Sequence, residues 1–135
     1  MAAGKYSFTI EQGSTVDFEI AYKDSSGNPI DLTGYQARMQ IKDSAGGSTT
    51  YITLTSSAEP PPCGTGLNMS GSNGLNPPTS GTIGVLIAAV STSAFPFDSA
   101  VYDLEIASGS GDCTIVTRLV EGNVKLIKEV TTGTY

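Results

Sequence analysis

The chain contains no histidine and no tryptophan, only two cysteines, and seven basic residues against thirteen acidic ones. Each shortage removes a class of function. Without histidine there is no usual general base, no imidazole metal ligand, and no Ser–His or Cys–His nucleophile pair. Without tryptophan the chain lacks the aromatic platform on which a sugar ring stacks best. Cys63 and Cys113 lie far apart in sequence and cannot complete a four-ligand zinc site within one chain. The net charge of −6 repels phosphate backbones and anionic membrane surfaces, so neither nucleic acid nor membrane is an expected partner. The cations Lys5, Lys23, Arg38, Lys42, Arg118, Lys125 and Lys128 are scattered and form no basic patch. The longest apolar run, 83–90, is interrupted by Gly84 and suits a strand rather than a membrane span. The opening MAAGKYSFTI has no apolar core of a conventional signal peptide, so synthesis and folding in a reducing cytoplasm are expected, with both cysteines as thiols by default.

No catalytic, cofactor-binding or metal-binding constellation stands out, and the chain is expected not to be an enzyme. Asp17 with Glu19, and Asp103 with Glu105, share strand faces, but on a polar face solvation is the simpler fate of a carboxylate pair. Asp24-Ser25-Ser26-Gly27-Asn28 superficially resembles a calcium loop but lacks the distal glutamate, and its Gly and Asn favour a plain turn. The glycine-rich segments precede no helix and make no phosphate loop.

What the sequence does hold is alternation. Val16, Phe18, Ile20 and Tyr22 alternate with Thr15, Asp17, Glu19 and Ala21, and Tyr35, Ala37, Met39 and Ile41 repeat the pattern. Period-two alternation predicts half-buried antiparallel strands with one solvated face. At 135 residues, with sixteen glycines and seven prolines, the chain is one turn-rich all-β domain spanning 1–135. Strands are expected at 5–12, 14–23, 34–42, 49–55, 82–89, 100–108, 112–120 and 123–130. Turn signals about every ten residues point to a β-sandwich. The predicted core holds Phe8, Val16, Phe18, Ile20, Tyr35, Ala37, Met39, Ile83, Val85, Ile87, Tyr102, Leu104 and Ile106, with Tyr6 and Tyr22 also on inward phases. Phe95 and Phe97 flank Pro96 and are expected to plug one end of the sandwich, after a single helical turn that Ser91 could cap.

Residues 58–80 break the pattern. They are rich in Gly, Pro, Asn and Ser, lack periodicity, and read as a long structureless loop of the kind that either serves a function or is disordered. This loop and the two termini, with 131–135 as a C-terminal arm, are expected to make subunit contacts through Pro60, Pro61, Pro62, Leu67, Met69, Leu75 and Tyr135. If the loop folds back on the Gly109-Ser110-Gly111 turn, Cys63 and Cys113 could form a disulfide, against which stands cytoplasmic synthesis.

Asp98-Ser99-Ala100-Val101-Tyr102 has the D-x-G/A-x-Y form in which a tyrosine enters a late strand of immunoglobulin-like sandwiches and ties its hydroxyl to nearby backbone. Around it lie Gly27-Asn28-Pro29-Ile30-Asp31-Leu32-Thr33-Gly34-Tyr35-Gln36-Ala37-Arg38-Met39-Gln40-Ile41, then Val101-Tyr102-Asp103-Leu104-Glu105-Ile106, then Val116-Thr117-Arg118-Leu119-Val120-Glu121-Gly122-Asn123-Val124. These phrases resemble the small immunoglobulin-like modules of tailed-bacteriophage virions, similar to the N-terminal domain of phage baseplate upper proteins. The resemblance implies an antiparallel immunoglobulin-like β-sandwich, made in the host cytoplasm and located in the virion. It implies a structural role in tail or baseplate assembly, as an adaptor or fibre-attachment subunit. The implied partners are other virion proteins in a symmetric multi-copy array. Two other functions fit the same fold: a carbohydrate-binding module for host-surface recognition, for which Tyr51 is the available aromatic, and a capsid decoration protein.

Overall fold

Alternation translates directly into burial. The computed structural model describes residues 4–56, 65–71, 77–109 and 111–132. Nine strands run through them: β1 (Gly4–Lys5), β2 (Phe8–Glu11), β3 (Val16–Ala21), β4 (Gln36–Lys42), β5 (Thr50–Thr55), β6 (Gly66–Asn68), β7 (Thr82–Ile87), β8 (Ser99–Ser108) and β9 (Ile115–Ile127). In β4 the buried residues are Ala37, Met39 and Ile41, and in β8 they are Ala100, Tyr102, Leu104 and Ile106. Arg38, Gln36, Asp103 and Glu105 take the opposite phase, as period two requires. In β7 four residues are buried, Ile83, Gly84, Val85 and Ile87, and the run is near-continuously apolar rather than alternating.

The strands form two sheets that pack into a β-sandwich around one core. The larger has the order β1-β9-β8-β4-β5, with β2 also on β9, and the smaller has the order β3-β7-β6. Ile83, Val85 and Ile87 of the small sheet meet Ile10, Met39, Leu54, Leu104, Val124 and Leu126 of the large one in a single cluster. Every predicted core residue belongs to that cluster or packs against it, with Phe8, Val16, Phe18, Ile20 and Tyr35 only partly buried. Phe95 and Phe97 are buried at one end, their ring centroids 5.3 Å apart.

Four expectations about the path of the chain need correction. The pairings of β1 and β2 with β9 are parallel, whereas the rest are antiparallel. The strands expected at 112–120 and 123–130 are one 13-residue strand, β9, which passes straight through Gly122. Residues 58–80 are not structureless throughout: β6 pairs with β7 and a 3-10 turn spans Pro78–Ser80. The helical turn before Pro96, α1 (Ala89–Thr92), has Ala88 at its N-cap, so Ser91 lies inside it rather than capping it.

The stretch 29–35 carries the chain from the small sheet to the large one. Asp31 closes it locally, its carboxylate accepting from the Thr33 amide at 2.9 Å and from the Thr33 hydroxyl at 2.6 Å. Those bonds hold the Asp31 carboxyl below its ordinary value. Leu32 then points inward and is 1 % exposed. The preceding turn follows the same chemistry, with Asp24 accepting from the amides of Ser26 and Asn28 and Gly27 at a φ of 85°.

Candidate interaction surface

The two long edges of the sandwich are finished differently. On one, β5 lies against β6 across the gap between the sheets, with Leu54 and Leu67 buried. On the other, β2 and β3 leave a seam filled by side chains. The Phe8 ring lies 5.0 Å from Phe18 and 5.0 Å from Tyr102, and Tyr6 lies 5.8 Å from Phe18. Tyr6, expected on an inward phase, is instead 48 % exposed, because the chain leaves the sheet between β1 and β2 just where it stands.

That departure has a cause in β9. Tyr102 of β8 sits opposite Gly122 of β9, and the chain at Tyr6 crosses above that glycine. A Cβ on Gly122 would lie 2.0 Å from the Tyr6 carbonyl oxygen, so only glycine admits the crossing. The Tyr102 hydroxyl donates to the same carbonyl at 2.5 Å. The hydroxyl therefore ties back to the N-terminal strand, not to backbone near its own position as the D-x-G/A-x-Y form suggests. Burial drives its pKa well above the usual tyrosine range, so it remains a donor. The turn into β3 is fixed from the far side by Thr92, whose hydroxyl accepts from the Gly13 amide at 3.1 Å and donates to the Ser14 carbonyl at 2.8 Å.

The outer face of the large sheet carries a ladder of ion pairs. Arg38 Nε meets Glu105 at 2.7 Å, Arg118 bridges Asp103 at 3.3 Å and Glu121 at 3.5 Å, and Lys5 closes on Glu121. Asp103 and Glu105 are thus cross-strand partners of arginines, not merely solvated carboxylates. Partial burial raises the pKa of Asp103 despite Arg118, whereas the Lys5 hydrogen bond and charge lower that of Glu121. Asp17 and Glu19 lie exposed on the polar face of β3, as expected.

Of the predicted contact residues, Leu67 is overturned. It is 6 % exposed and belongs to the core, because β6 turns it inward against β7. Met69 packs partly buried against the same core. Pro60, Pro61, Pro62, Leu75, Tyr135 and Cys63 lie outside the described residues, and Cys113 is an exposed free thiol. Tyr51 is no open platform for a sugar, being half-buried with its ring 4.6 Å from Phe97. Among the described residues no helix is long and apolar enough to cross a membrane. No family model matches this chain, and a search of curated proteins found no match.

Proposed function

We propose that this chain is a non-enzymatic structural protein of a tailed-phage virion, an immunoglobulin-like module that serves as a tail or baseplate adaptor or fibre-attachment subunit. The observation that carries the reading is where the resembling phrases fall. Separated in sequence, they occupy β4, β8 and β9, which are neighbours in one sheet. The resembling phrases thus lie side by side, which supports the reading. The strand order supports the immunoglobulin-like part. Read as strands B, C, C′, D, E, F and G, β3 through β9 give the pairs G-F-C-C′ in one sheet and B-E-D in the other.

A structural role also suits the surface, which is built for contact rather than chemistry. Among the described residues the outer edge of β3 pairs with no strand, and the charged outer face is a ladder of paired side chains. The alternative as a carbohydrate-binding module loses its aromatic candidate in Tyr51. The test is location: mass spectrometry of purified particles and imaging of particles carrying a labelled copy. A ring of copies at the tail or baseplate is the expected result. Label on capsid faces would make it a decoration protein instead, and a monomer never found in particles would refute the reading.

A further inference from the structure

The immunoglobulin-like arrangement places a first strand beside B in the B-E-D sheet. Here the N-terminal strand goes entirely to β9, running parallel to it from Gly4 to Glu11 with one break. Among the described residues, β3 pairs with β7 on one side and with no strand on the other. The consequence is visible in burial. Val16, Phe18 and Ile20 are half-buried, while Ile87, Val85 and Ile83, their partners directly across in β7, are 0 % exposed. The exposed Tyr6 ring extends this apolar row toward β2.

The geometry points to the outer edge of β3 as a strand-addition site for an extended segment of another protein in which apolar residues alternate with lysine or arginine. Backbone pairing would supply the fourth strand of the small sheet, and alternate apolar side chains would cover Phe18, Phe8 and Tyr6. Charge selects the partner. Among the described residues the seam is lined by the carboxylates of Glu11 and Asp17 and by no basic side chain. Outward residues of an added strand stand opposite Asp17, where a cation is favoured and a carboxylate is not. The same rule disfavours a second copy, since antiparallel pairing of β3 with itself sets acidic side chains against acidic ones.

This names a partner class for the assembly role proposed above and rests on that reading for its biology. Its test uses the purified full chain and no particles, so absence from virions would refute the role without touching this result. The probes are two short peptides matched to the length of β3, one alternating valine with lysine and one alternating valine with glutamate. The lysine peptide is expected to bind about tenfold more tightly, with affinity falling as salt rises. It should slow amide exchange at Thr15, Asp17 and Ala21. Asp17→Lys, at an exposed position that leaves folding intact, should invert the preference. No binding, equal binding of the two peptides, protection confined to β5 or β6, or dimerisation that protects the same amides would each overturn the proposal.

Discussion

The Tyr102 hydroxyl donates a 2.5 Å hydrogen bond to the carbonyl of Tyr6, a residue 96 positions away. A single phenol thereby fastens the link between β1 and β2 to β8. The bond matters because Tyr102 is 3 % exposed and its hydroxyl has lost water as an alternative partner. Tyr102→Phe leaves the ring packing in place and removes only the donor. Stability is expected to fall by about 1–2 kcal/mol, measured by urea unfolding.

Gly122→Ala should act on the same junction from the other side. The added methyl falls onto the Tyr6 backbone rather than onto a flexible side chain, so the crossing itself must move. Amide exchange at Phe8–Glu11 should accelerate well before global unfolding. Retained protection there would show that the crossing tolerates a side chain.

Two core truncations should separate by position. Leu104 is 0 % exposed at the centre of the large sheet, so Leu104→Ala opens a cavity and should cost roughly 2–5 kcal/mol. Phe18→Ala should cost less than the roughly 3–5 kcal/mol typical of a fully buried phenylalanine, because its ring borders the open seam. Equal losses in thermal or urea unfolding would mean that the seam is sealed.

The charged face sets an acid-side dependence. Folding lowers the pKa of Glu121 through Lys5, so its contribution is fully present above the ordinary value of 4.5 and is lost as pH falls through the lower folded value. Asp103 has the opposite sign: its folded pKa is raised, so stability declines as pH climbs from the ordinary 3.8 to the folded value. Glu121→Gln should be less stable than the parent at neutral pH and should converge on it in acid. Urea midpoints measured across the acid range check the convergence.

Thr92→Val tests the turn between the sheets. Its buried hydroxyl serves both Gly13 and Ser14, and losing it leaves two backbone groups without that partner at a cost of about 1–3 kcal/mol. A loss below this range would mean that water replaces the hydroxyl.

Alternation in β4 and β8 is enough to predict which residues face inward, because side-chain phase in a strand is a local property with a period of two. Turn chemistry at Asp24 and Asp31 was equally local. Gly122 was not: in sequence it resembles a strand break, and only the chain at Tyr6 passing over it explains a glycine in mid-strand. The inward place of Leu67 is illegible for a related reason, since three residues of β6 are too few to show a period and take their phase from β7. The open seam was likewise invisible, because which sheet the first strand joins depends on a parallel pairing with the last one, across nearly the whole chain. The sequence by itself determined an all-β chain and the inward faces of its alternating strands. Tertiary structure alone decided which strand edges are covered, because backbone pairing between distant segments leaves no periodic mark on either one.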